Sequence, residues 1–91
     1  MTQQERHILD SLNDIKKIMY YSFDTIDYSV YITELNSLIE QLSEMLNVSD
    51  NKEDYDRIFA LKKSVEFYLK KAEELQNIYL RSLEDQEEKG Q

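Results

Sequence analysis

An all-α fold, an antiparallel helical hairpin or small bundle with coiled-coil-like packing, is predicted by three observations. Apolar residues recur at alternating steps of three and four over most of the chain. Proline is absent and the one glycine is Gly90, so no strong breaker lies inside the pattern. A cluster of capping residues, Asn47-Val48-Ser49-Asp50-Asn51, interrupts it once.

The first element opens on Thr2-Gln3-Gln4-Glu5. This reads as a capping box, in which Thr2 and Glu5 satisfy each other's free backbone donors. Ile8, Leu12, Ile15, Met19 and Ile26 then mark one helical face, with Asp10, Asn13, Asp14, Lys16 and Lys17 on others. The second run is cleaner: Tyr28, Tyr31, Leu35, Leu38, Leu42 and Met45, widened by Ile32, Ile39 and Leu46. The two registers do not meet, and the phase slips over 22–29. Phe23-Asp24-Thr25-Ile26-Asp27 holds neither Gly nor Pro. The reading therefore favours one long helix bent there over two helices joined by a turn.

The break at 47–51 predicts a reversal, with Asp50 and Glu53 repeating the capping-box logic. Glu53, Asp54 and Asp56 set negative charge on the positive end of the next helix dipole. That helix carries Ile58, Leu61, Val65, Tyr68, Ala72, Leu75 and Tyr79, broadened by Phe59, Leu69, Ile78 and Leu83. Beyond Leu83, four of the eight residues are acids, which oppose the dipole at a helix C-terminus. The expected plan is one domain over 1–91. It has a helix over about 3–21, a bend at 22–29, a helix to 47, a turn at 48–51, a helix over about 51–85 and a frayed tail at 85–91.

Charge supports the reversal. No Lys or Arg lies between Lys17 and Lys52, a window holding Asp24, Asp27, Glu34, Glu40, Glu44 and Asp50. The next helix supplies Arg57, Lys62, Lys63, Lys70, Lys71 and Arg81. Folding at Ser49 would set Glu44 by Arg57, Glu40 by Lys62, and Glu34 by Lys63 or Lys70. The seam between them would pair Leu42 with Ile58, Leu38 with Leu61, Leu35 with Val65 and Tyr31 with Tyr68. Such flanking charges choose the register more than they stabilise it. In a simple hairpin the stripe from Ile8 to Met19 would lie bare. Either that segment folds back as a third helix or it pairs with another chain. The second option points to a homodimer.

Composition excludes several functions. At 91 residues, with 41% hydrophobic and 33% charged residues, the chain suits one small folded domain. No apolar run approaches the roughly 20 residues of a membrane span. The start of the chain lacks the pattern of a secretory signal, so a cytoplasmic location is expected. A net charge of −8 argues against binding nucleic acid or anionic lipid directly. His7 is the one histidine and cysteine is absent, so the usual nucleophile-and-base sets cannot be assembled. The i,i+4 acid pairs Asp10/Asp14, Glu40/Glu44 and Glu84/Glu88 lack the Glu-x-x-His element of bundle metal sites. A glycine-rich phosphate loop is impossible. No enzyme activity, metal or cofactor is expected.

What remains is protein binding. Tyr20, Tyr21, Phe23, Tyr28 and Tyr31 form the densest aromatic cluster. They are the expected contact surface of an adaptor, or of a small inhibitor of a larger protein, because tyrosine suits half-wet interfaces. The competing reading packs them at the bend against Phe67, Tyr68 and Tyr79. A second reading uses Asp24, Asp27, Glu34, Glu40 and Glu44 to imitate nucleic-acid phosphates, as small inhibitors from phages and mobile elements do. A third is a structural coiled-coil subunit whose partner is itself.

The acidic, short, hairpin-like plan resembles the small helical-hairpin proteins of type VII secretion. Their Trp-x-Gly turn is replaced here by 47–51, and their Tyr-x-x-x-acid signal by Tyr79 followed at the fourth place by Leu83. No membership follows from plan alone.

Overall fold

The computed structural model describes the backbone of residues 2–89 and the side chains of 2–85. Among these residues there are three α-helices and no strand: α1 (Gln3–Ser22), α2 (Ser29–Asn47) and α3 (Lys52–Lys89).

Helix α1 begins as its sequence directs. The Thr2 hydroxyl accepts from the Glu5 amide at 3.1 Å. Only this half of the capping box forms, because the Glu5 carboxylate is engaged by Arg57. At the other end the helix stops at Ser22. Phe23 has φ 47°, in the left-handed region that favours glycine. Its amide still donates to Met19 O at 3.0 Å, and the Thr25 amide donates to Ser22 O at 2.9 Å.

The long bent helix favoured by the sequence is therefore not formed: residues 23–28 are a turn. Its fastenings come partly from distant residues. Gln76 accepts from the Tyr28 amide at 2.5 Å and donates to the Asp27 carboxylate at 2.8 Å. Asp27 also accepts from the Ser29 amide at 2.8 Å and so satisfies a free donor at the start of α2, whose N-cap residue Tyr28 makes no side-chain cap. The buried Tyr28 hydroxyl donates to Phe23 O. No local pattern announces the contacts with Gln76.

Between α2 and α3 the reversal falls where the sequence sets it. The capping residue is Asn51, whose side chain accepts from the Glu53 amide at 2.8 Å, rather than the expected Asp50. The helix starts one residue later than that box requires.

Three contacts fix the topology. Glu5 meets Arg57 near the start of α3, and Lys16 lies over the Tyr68 ring at 5.1 Å. Both contacts have the same offset, so α1 runs parallel to α3. Tyr28, just before α2, meets Gln76 far along α3, so α2 runs antiparallel to it. The result is an up-down-up bundle in which α2 and α3 share the largest seam. At 38 residues, α3 is about 57 Å long and accounts for the 60 Å length of the molecule.

The core takes Ile8, Leu12, Ile15 and Met19 from α1, Tyr28 from the turn, Leu35, Leu38 and Leu42 from α2, and Ile58, Val65, Ala72 and Leu75 from α3. The stripe from Ile8 to Met19 is thus covered within the chain. It offers no bare apolar face to a second copy of the chain.

The third helix also redirects the charges. Arg57 grips Glu5 through two bonds, at 2.8 and 2.9 Å, and Asp54 at 2.9 Å, in place of Glu44. Lys62 and Lys63 both turn to Glu66 on their own helix, at 3.7 and 3.8 Å, instead of Glu40 and Glu34. Among the described residues no ion pair joins α2 to α3. Burial of the apolar seam, not its flanking charges, holds these two helices together.

Beyond Gln76, α3 continues as helix to Lys89, about 20 Å further. The expected fraying from about 85 concerns residues whose side chains lie outside the described set, and Gly90 and Gln91 lie outside it altogether.

Candidate docking surface

The five aromatic residues separate by burial. Tyr20 and Tyr21 are 81% exposed and Phe23 is 55% exposed, whereas Tyr28 is wholly buried. Tyr31 is half-buried against the core and packs edge-on to Tyr28, ring centroids 6.1 Å apart. The outward set is therefore Tyr20, Tyr21 and Phe23, at the C-terminal end of α1. Its neighbours follow from helix period: positions 20 and 21 lie off the buried stripe of α1. Phe23 leaves the helical path through its positive φ.

Beside this set lies a groove of about 480 Å³ between α1 and α3, lined by Lys16, Met19, Tyr20, Phe23, Tyr68, Lys71 and Leu75. Met19 and Leu75 are core residues that form its apolar floor. Tyr20 packs edge-on against Tyr21 at 5.2 Å between centroids. Of the three aromatics expected to cover the cluster, Phe67 is itself 63% exposed, while Tyr68 and Tyr79 are half-buried. Tyr68 joins Tyr20 and Phe23 in the groove rather than hiding them.

The groove is also basic. Lys16 and Lys71 line it, Lys17 lies alongside with Tyr20 and Tyr21, and no carboxylate lines it. This is a cationic, aromatic site in a chain of net charge −8. The sequence shows Lys16 and Tyr20 one turn apart on α1. Joining them to Tyr68 and Lys71 needs the parallel run of α1 along α3, which no local signal gives.

The acids expected as a second surface also divide. Asp27 is spent at the start of α2, where hydrogen bonds from Ser29 and then Gln76 hold its carboxyl below the usual range. Asp24 is half-buried at the turn. Glu34, Glu40 and Glu44 are exposed on α2 and enter no ion pair among the described residues.

Elsewhere the shifted groups are structural. Hydrogen bonds from Arg57, then its charge, outweigh burial and hold the Glu5 carboxyl below its usual range. Burial first, then nearby Asp24, pushes the Tyr28 hydroxyl up. A cleft of about 950 Å³ between the start of α1 and the α2–α3 turn includes His7, Glu5, Asp50 and Asp54 in its open walls. Among the described residues no group of three or more His, Cys, Asp or Glu could hold a metal. None of their helices is long and apolar enough to cross a membrane.

Comparison with known proteins finds no matching family model, no matching curated protein and no matching solved structure. The functional reading rests on this surface itself.

Proposed function

We propose that this chain is a non-enzymatic protein-binding module, an adaptor or a small inhibitor of a larger protein, acting in the cytoplasm. Its contact surface is the α1 end that carries Tyr20, Tyr21 and Phe23. One observation carries the reading: three adjacent aromatics, 55% or more exposed, border an open groove with an apolar floor. A folded chain gains by burying such rings, and aromatic anchors beside a pocket contribute most of the binding energy at protein interfaces.

Affinity purification from the native host, with Phe23→Gly and Tyr21→Ala compared with the parent chain, tests this. Phe23→Gly suits the test because glycine accepts the backbone that Phe23 adopts. Partner recovery should fall at least tenfold in both variants while their circular dichroism is unchanged. Undiminished recovery in both folded variants would remove the aromatic surface from the account.

A second reading is favoured by Glu34, Glu40 and Glu44, exposed without cationic partners among the described residues. These acids would imitate nucleic-acid phosphates before a basic groove. Glu34/Glu40/Glu44→Gln and added salt should then abolish partner binding, and the aromatic variants should not.

A further inference from the structure

In a chain of net charge −8, the groove between α1 and α3 carries charge of the other sign. Lys16 stands on its α1 wall and Lys71 on its α3 wall, Lys17 lies just outside, and no carboxylate lines it. All three lysines are exposed, and none enters an ion pair among the described residues. Helix spacing accounts for this. The residues one turn from Lys16 are Leu12, Asn13, Met19 and Tyr20, none of them acidic. Those one turn from Lys71 are Phe67, Tyr68, Glu74 and Leu75, and the single acid, Glu74, forms no ion pair with it.

Lys16 is held without being neutralised. Its ammonium lies over the Tyr68 ring, 5.1 Å from the centroid. Between the two lysines the floor is Met19 and Leu75, both buried. This arrangement fixes the chemistry of an occupant. An apolar side chain covers the floor, and carboxylates beside it meet the lysines. A basic segment is repelled, and an uncharged one desolvates two ammonium groups without pairing them. The far end of this chain's own α3 is engaged elsewhere, since Tyr79, Ser82 and Leu83 border a hollow with Asp24 and Thr25 of the turn. A nucleic acid brings phosphates along its whole length, which the chain's many acids repel, whereas a short segment meets only the groove.

We propose that the groove binds an acidic segment of a partner protein. One apolar side chain of that segment sits on Met19 and Leu75 among Tyr20, Phe23 and Tyr68, with carboxylates on either side paired to Lys16 and Lys71. The proposal rests on the reading of the Tyr20, Tyr21 and Phe23 surface as a protein-docking site, and gives the partner's chemistry. The apolar anchor supplies most of the affinity, and the two lysines select the sequence around it.

A random-peptide display library selected against the full chain tests the proposal, each enriched peptide then being titrated by fluorescence anisotropy. Enriched peptides should carry an apolar residue with Asp or Glu on both sides. Lys16→Glu and Lys71→Glu, both at exposed positions, should each weaken them by about tenfold or more, and added salt should weaken them too. Exchanging the peptide's acids for lysines should restore binding to the chain carrying both changes, an effect that damage to the fold cannot produce. Enriched peptides without acids, or acidic ones indifferent to both lysine changes, overturn the proposal. If those peptides still lose affinity with Phe23→Gly, the protein-docking reading stands; if they do not, it falls as well. A single-stranded RNA of mixed sequence that displaces the peptides, and releases on Lys71→Glu, overturns the assignment to a protein segment. An empty selection overturns the acidic segment, and the dependence of host-protein capture on Phe23 then decides the docking reading by itself.

Discussion

Phe23 is the residue at which local preference and global structure disagree most openly. A left-handed backbone on a bulky residue costs about 1–3 kcal/mol, and only surrounding contacts sustain it. The Tyr28 hydroxyl, bonded to Phe23 O, supplies one of them. Phe23→Gly should leave the melting temperature unchanged or raise it, as read by thermal circular dichroism. Tyr28→Phe should lower stability by about 1 kcal/mol, the net value of one hydrogen bond. Tyr28 also sets an alkaline limit. Its hydroxyl titrates higher in the fold than in the free chain, so folding favours the neutral form. That contribution is complete below the free value of 10.0 and is lost as pH climbs above it.

Glu5 sets the acid limit. Its side chain is 2% exposed and doubly bonded to Arg57. Its carboxyl titrates below the free value of 4.5, so its contribution is present above that pH and fades as pH falls below it. Glu5→Gln should flatten the stability curve below pH 4.5, measured by denaturant titration at each pH. Arg57→Ala should destabilise more at neutral pH than Glu5→Gln, because it strands a buried carboxylate.

At the scale of elements, the helices, the reversal at 48–51 and the phase slip over 22–29 were legible in the sequence; that the slip is a turn between two helices rather than a bend in one was not. Period alone places Leu35, Leu38, Leu42, Ile58 and Val65 inside, and all are buried. The break lacked the glycine that usually ends a helix. It depends instead on Gln76, nearly fifty residues away. Gln76→Ala should therefore speed amide exchange at Tyr28 and Ser29 while amides in the middle of α2 keep their protection, a pattern that hydrogen-exchange mass spectrometry resolves. The charge pattern misled for a related reason. Matching Glu44 with Arg57 assumed two helices, and the third offers Arg57 a better-shielded partner in Glu5.

For the molecule as a whole, the decisive event is the return of α1 along α3. It covers the stripe from Ile8 to Met19, leaves Tyr20, Tyr21 and Phe23 outward, and builds the basic groove with Tyr68 and Lys71. The sequence named two of the groove's aromatics, Tyr20 and Phe23, among the contact residues. It could not name the lysines, since their closeness is a property of the bundle rather than of any helix. Removing α1's grip should therefore open the bundle: Ile15→Ala should cost about 2–5 kcal/mol in a denaturant melt.

An intramolecular distance tests that return most directly. With no native cysteine to interfere, spin labels at His7→Cys and Ala60→Cys, both exposed, can be measured in molecules diluted with unlabelled chain. The fold described here predicts a separation below about 25 Å, since packed helix axes lie roughly 8–10 Å apart. A separation near 45 Å, the value for α1 continuing straight out of α2 at about 1.5 Å per residue, would contradict it.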